Sequence, residues 1–286
     1  MTISVLSGKY IKVSTPSCHI ALVEMQRPPV NAFNEEVYTE YGRVFDKISD
    51  FPDIRVVVLS STLPNVFCAG IDLSALSDLK SYDQDPGRRA LQTRSFLLAF
   101  QHAVSATERC PYPVIAAVHG IALGLPIDMV TACDIRYAAS NAIFSIKEVD
   151  VGLAADVGTL ARLPKVAGKQ SIVNELAYTA RNFSAAEAEK IGLISKVVEG
   201  GREEVLKAAL ETAQVIARKS PIAVLGTKRV LQHSRDHTIK DNLEYVATWN
   251  SSMLHSADIH ESLQATLTKR MPKFAPLSVS STKTKL

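Results

Sequence analysis

Three carboxylates stand in surroundings that would keep most charges away. Asp128 follows Gly124-Leu125-Pro126-Ile127 in an apolar turn, and Glu148 and Asp156 flank an apolar, glycine-containing loop. Burial raises a carboxyl pKa, so one such group can stay protonated and act as an acid while another works as the base. Plain structural roles fit the same residues. Asp156 suits a helix N-cap over Val157 to Leu160, and Asp128 suits a paired structural acid. Asp150 reads as a loop or salt-bridge carboxylate, and Asp134 with Arg136 as an ion pair beside a strand. Two loops could serve such acids with backbone donors. Phe67-Cys68-Ala69-Gly70-Ile71-Asp72-Leu73 takes a strand into a glycine turn and presents the N–H of Ile71. In His119-Gly120-Ile121-Ala122-Leu123-Gly124-Leu125-Pro126, Pro126 suits a first helical turn, which leaves the N–H of Leu125 at the positive helix end. Oriented N–H groups of this kind stabilise a developing oxyanion. The simpler readings are a tight turn capped by Asp72, an ordinary strand–helix turn, and a satisfied core histidine at His119.

The elements that must hold these residues follow from apolar spacing. Tyr10–Ser14 and Ile20–Met25 read as strands, with Pro16 between them. Asn34 opens a helix whose face is Val37, Tyr41, Val44, Phe45 and Ile48. Val56–Ser60 and Val114–Val118 are continuous apolar runs, expected as buried strands, with Ile135–Ala138 and Ala142–Ile146 as further strands. Asp83 to Arg88 is expected as a mobile surface segment, and Arg89 to Glu108 as a helix. From Val157 onward the pattern is helical: Ser184 with Glu187 forms a capping box, Gly192 ends that helix, and Gly201–Ala217, Ile222–His233, Ile239–His255 and Ala257–Lys269 follow. The expected class is α/β, built from strand–strand–helix units over residues 1–200, a helical region over 201–275 and a flexible tail over 276–286. No internal repeat is visible in the sequence.

Composition excludes several classes. With 286 residues, 47% apolar and 21% charged, the chain is neither disordered nor collagen-like. A net charge of +3 without a basic stripe is no nucleic-acid footprint. Cys18, Cys68, Cys110 and Cys133 form no CxxC pair, which points away from a zinc site and toward a reducing compartment. Cys68 and Cys133 read as small buried apolar groups. No signal peptide is expected, and Val114 to Val130 is interrupted by His119, Pro126 and Asp128, so no membrane span is expected. Thr284-Lys285-Leu286 approximates a Ser-Lys-Leu peroxisomal address, making an import receptor a candidate partner; mitochondrial or cytosolic residence is the alternative.

Taken together, the loops resemble the crotonase, or enoyl-CoA hydratase/isomerase, superfamily, and within it the Δ3,5-Δ2,4-dienoyl-CoA isomerases. The resemblance is carried by Phe67 to Leu73, by Ala132-Cys133-Asp134-Ile135-Arg136-Tyr137 and by the long run Lys147 to Leu160, with Tyr245 to Asn250 adding a C-terminal likeness. It implies a spiral of strand–strand–helix turns, C-terminal helices that cover a neighbour, and a homotrimer or homohexamer. It implies an acyl-CoA thioester as substrate, with no metal and no cofactor beyond the CoA of the substrate itself. The thioester oxygen would sit between the N–H groups of Ile71 and Leu125, with Ala69, Gly70, Ile71, Asp72, Leu73 and Leu125 lining the substrate path. Glu148 would remove a C2 proton, a protonated Asp156 would deliver one to C6, and Asp128 would orient or tune the base.

One departure bears on this. The family pattern has a Gly-Gly-Gly run where this chain has Gly124-Leu125-Pro126. Leu125 keeps its N–H, but a positive φ there would be strained, and its side chain needs room. The remaining readings are an enoyl-CoA hydratase using Asp128 and Glu148 on water, and a non-catalytic acyl-CoA- or RNA-binding relative. Asp156 speaks against the first and the complete set of acids against the second.

Overall fold

The computed structural model describes residues 2–72, 74 and 83–277. Its centre is a six-stranded sheet in the order β1 (Ile11–Ser17), β2 (Ile20–Met25), β3 (Val56–Ser61), β5 (Val114–Val118), β7 (Ile135–Ala139), β10 (Lys196–Val198). Beside it lies a four-stranded sheet, β4 (Val66–Cys68), β6 (Ile121–Leu123), β8 (Ile143–Ser145), β9 (Phe183–Ser184). The chain alternates between them. From β3 to β8 each of three turns lays one strand in the large sheet and the next in the small one, then enters a helical segment: α2 (Pro86–Val104) after β4, α4 (Leu125–Thr131) after β6, and α5 (Thr159–Val166) beyond β8. This is the spiral that the resemblance implies.

The apolar runs explain the layering. Val57, Leu59, Val114, Ala116 and Val118 enter one core together with α1 (Glu35–Ile48). Their neighbours Val56, Val58, Ile115 and Ala117 enter a second core against Val205, Leu206, Ala209 and Ala213 of α8 (Arg202–Ala217). Strands apolar on both faces are what a sheet covered on both sides requires. The helical region expected after residue 200 therefore begins with a helix packed on the sheet. Asn34 caps α1 by accepting from Val37 N, and Ser184 caps α7 (Ala185–Lys190) by accepting from Glu187 N.

Several expectations are corrected. Asp85 caps α2, which starts at Pro86, so Pro86 to Arg88 belong to a helix and not to a mobile segment. The helix expected to run to Glu108 breaks at Ser105, and α3 (Ala106–Arg109) is a separate turn. Asp134 does not pair with Arg136: its Oδ2 accepts from Lys228 Nζ at 2.8 Å and from Val114 N at 2.8 Å, while Arg136 donates to the carbonyls of Cys133 and Leu193. The lysine lies ninety-four positions later in the chain, which no local pattern reveals.

Lys228 ties α9 (Pro221–His233) to its own spiral, so this C-terminal helix covers its own chain. Two helices follow, α10 (Ile239–Met253) and α11 (Ala257–Leu267), after α6 (Gln170–Thr179) earlier in the chain. Residues 274–277 fold back as well: Phe274 O accepts from Arg55 and Leu277 N donates to Pro52 O. The remainder of the expected tail, including Thr284-Lys285-Leu286, lies outside the described residues. Among the described residues no helix is long and apolar enough to cross a membrane. Cys68, Cys110 and Cys133 are buried and free.

Candidate active site

Three neighbouring strand ends build the site. β4, β6 and β8 are parallel, with a bulge in β4 between Val66 and Cys68 that sets Cys68 opposite Ala122, and with Leu123 opposite Ser145. The segments leaving them therefore emerge side by side at one sheet end, where parallel sheets commonly bind ligands. They are the three loops that the sequence singles out. They enclose a cavity of about 330 Å3 lined by Ala69, Gly70, Ile71, Gly124, Leu125 and all three acids, Asp128, Glu148 and Asp156.

The first backbone donor sits at Ile71. A parallel bridge joins Ile71 to Phe33 through Phe33 N to Gly70 O (2.9 Å) and Asp72 N to Phe33 O (2.8 Å). That pattern uses the groups on either side of Ile71 and leaves its own N–H outside the bridge. The second donor, Leu125, starts α4, where the first N–H groups have no partner within the helix. The strain expected at Leu125 is absent. The left-handed φ of +68° falls on Gly124, and Leu125 turns its side chain into the core, 4% exposed. Pro126 occupies the helix start, as its missing N–H favours.

The two donor loops touch at a glycine. A Cβ on Gly70, whose φ is +106°, would lie 2.9 Å from the carbonyl oxygen of Leu123. Gly70→Ala is expected to cost about 1–3 kcal/mol in thermal unfolding and to lower turnover by displacing Ile71.

Asp128 is 1% exposed, and its Oδ1 accepts from Thr159 N at 2.6 Å. It thereby caps α5, whose own N-cap residue is Gly158 and has no side chain to offer. The capping role considered for Asp156 thus belongs to Asp128, 31 positions before the Thr159 N–H that it accepts. Burial, followed by the charge of Glu148, pushes the Asp128 carboxyl from 3.8 up to about 7. A carboxyl with a raised native pKa binds its proton more tightly in the folded chain, so its contribution to stability is lost as pH rises through that window. Asp128→Asn can still accept the Thr159 bond and carries no charge. It is expected to gain stability over the parent between about pH 4 and about pH 8, by roughly 2–4 kcal/mol, read from urea unfolding at both ends.

Glu148 begins a short 3-10 turn, Glu148–Val151. Its Oε2 is buried without a hydrogen-bond partner among the described residues. Burial, then the neighbouring Asp156, raises its pKa. Asp156 is the most exposed of the three acids, and partial desolvation raises its pKa as well. Gln101 Nε2 of α2 donates to the Asp156 carbonyl at 2.6 Å and holds that loop in place. Asp150 does not line the cavity itself; it pairs at 3.0 Å with Lys147, which does.

Of the remaining candidates, Asp72 pairs with Arg27 at 2.7 Å and accepts from Ser74, which lowers its pKa; it does not line the cavity. Leu73 lies outside the described residues. His119 is buried with Nε2 against the Leu63 carbonyl at 2.8 Å, and its Nδ1 has no partner among the described residues. The apolar wall opposite the acids went unread in the sequence. It consists of Thr93, Phe96, Leu97 and Phe100 on α2, with Leu153 and Val157. The first four are spaced i, i+3, i+4, i+7, one helix face, and that spacing was the available signal.

A spiral of paired strands gathers the backbone N–H groups of Ile71 and Leu125 and three partly desolvated carboxylates around one apolar cleft, an arrangement able to stabilise an oxyanion beside an acid–base pair. The family model described as enoyl-CoA hydratase/isomerase matches residues 16–276, and the chain belongs to that family. It is similar to a protein named Delta(3,5)-Delta(2,4)-dienoyl-CoA isomerase, mitochondrial, from Homo sapiens, 48% identical over 263 residues that cover 91% of this chain and 80% of that protein. A protein of Arabidopsis thaliana named as the peroxisomal form of that isomerase is 43% identical over 270 residues, covering 93% and 96%. Among solved structures, an enoyl-CoA hydratase from Bacillus anthracis superimposes with a TM-score of 0.83 at 29% identity, covering 93% of this chain and 99% of that one.

Proposed function

We propose that this protein converts 3,5-dienoyl-CoA to 2,4-dienoyl-CoA. The observation that carries the reading is the convergence of Glu148, Asp156, Ile71 and Leu125 on one apolar cavity, supported by relatives that bear that name. The C2–H bond of the substrate breaks and its proton passes to the Glu148 carboxylate. The electron pair flows toward the thioester oxygen, which the N–H groups of Ile71 and Leu125 receive. The resulting dienolate takes a proton at C6 from the Asp156 carboxyl, and the double bonds come to rest at C2 and C4. Desolvation raises the pKa of both, which strengthens Glu148 as a base and favours the protonated form of Asp156. Asp128 holds α5, and with it the end of the acid loop. No step needs a metal or redox group; the only cofactor in this scheme is the CoA carried by the substrate.

The direct test is ultraviolet absorbance. A 3,5-dienoyl-CoA should gain the longer conjugated absorption of the 2,4 thioester when the protein is added. Hydration of a 2-enoyl-CoA without that change would assign the site to a hydratase, and tight acyl-CoA binding without turnover would assign it to a binding protein.

The same proposal extends to assembly and compartment. Ile239, Leu243 and Leu267 on α10 and α11 are 82%, 64% and 83% exposed, an apolar surface that supports a homotrimer or its hexameric pairing. Light scattering on the purified protein measures that state. The relatives' names carry both mitochondrial and peroxisomal compartments. A peroxisomal destination through Thr284-Lys285-Leu286 is tested by locating reporter fusions with and without the tripeptide.

A further inference from the structure

Asp156 and Val157 line two cavities at once. One is the substrate cavity; the other, of about 470 Å3, lies between α2, α5 and the chain after α9. The second is the more polar of the two, with charged side chains along its wall. Ser105 Oγ donates to Gln101 O at 2.6 Å and accepts from Arg162 Nη2 at 2.7 Å. Arg162 in turn pairs with Glu108 at 2.9 Å, and Glu108 with Arg235 at 2.8 Å. This wall leads from the Asp156 loop, held by Gln101, toward the surface. We propose that the second cavity is a proton port, through which water returns a proton to Asp156 while acyl-CoA fills the first. The inference rests on the isomerase reading and adds to it.

The chemistry requires such a return. Each turnover leaves Glu148 protonated and Asp156 ionised, so a proton must leave Glu148 and one must reach Asp156 before the site can act again. The substrate cavity is apolar and filled at that moment. The second cavity gives Asp156 a water-accessible side of its own, and the paired charges along it favour ordered water over apolar side chains.

The experiment uses 3,5-dienoyl-CoA carrying deuterium at C2, in ordinary water, with the product analysed at C6 by NMR. The expected product of the unaltered protein carries solvent hydrogen at C6. Ala161 is an exposed residue of α5 that lines the second cavity and not the first. Ala161→Phe, which fills the port, should lower kcat roughly tenfold at unchanged KM and raise deuterium retention at C6, while Ala161→Ser behaves as the parent. Retention of deuterium at C6 by the unaltered protein would show that the proton returns inward from Glu148 and would overturn the port. So would an Ala161→Phe protein with parental kcat and labelling. If Ala161→Phe does not fold, the labelling of the unaltered protein still decides. Absence of any 2,4-dienoyl product is a separate result and fails the isomerase reading itself.

Discussion

Glu148→Gln is expected to lose both isomerisation and the exchange of C2 hydrogens with D2O, each by roughly 10²–10⁴-fold. The amide has nearly the size of the carboxylate but cannot take a proton. In the parent, Glu148 Oε2 is buried and bonded to nothing among the described residues, and desolvation raises its pKa. A buried acceptor without a partner is costly unless it is protonated or meets a donor. The substrate C2–H would meet it there. The variant should keep its fold, because that oxygen makes no bond to lose, and should still bind acyl-CoA, because Ile71 and Leu125 are untouched. Thermal unfolding and a binding titration check those two points. Undiminished C2 exchange would place the base elsewhere in the cavity.

The second large effect separates the two proton transfers. Asp156→Asn is expected to stop isomerisation by roughly 10²–10⁴-fold while leaving C2 exchange close to the parental rate. Proton removal at C2 needs Glu148 and the two N–H donors; only delivery at C6 needs Asp156. The loop should stay in place, since Gln101 grips the backbone carbonyl of Asp156 and Asp128 caps the following helix. The measurement is NMR of substrate in D2O, reading C2 and C6 in the same sample. Loss of both signals would mean that Asp156 supports the base and does not act as the acid. Isomerisation at the parental rate would remove it from the mechanism.

These outcomes depend on features of unequal legibility. Glu148 and Asp156 stand out in the sequence because carboxylates are rare in apolar runs, and the donor at Leu125 is readable from Pro126, whose ring chemistry places it at a helix start. Local preferences of this kind act over a few residues and need no fold to be expressed. The same locality misled elsewhere. Asp134 beside Arg136 looked like a pair, but its partner is Lys228 on a distant helix. Asp156 looked like a cap for the helix after it, but Asp128 reaches that helix end from α4. Leu125 looked strained in a glycine position, but the left-handed turn is confined to Gly124.

By itself, then, the chain determined its buried strands, its capped helices and the three loops with their acids, because hydrophobic period, turn chemistry and capping are short-range. Their convergence is another matter. The ends of β4, β6 and β8 come side by side only when Cys68 pairs with Ala122 and Leu123 with Ser145, and that pairing joins segments far apart in the chain. The same holds for the wall on α2, for the cap that Asp128 lends to α5, and for the second cavity behind Asp156. The raised pKa of each acid follows from the water that this packing excludes, so the tertiary structure decided which carboxylates stand desolvated at the cavity and which form salt bridges.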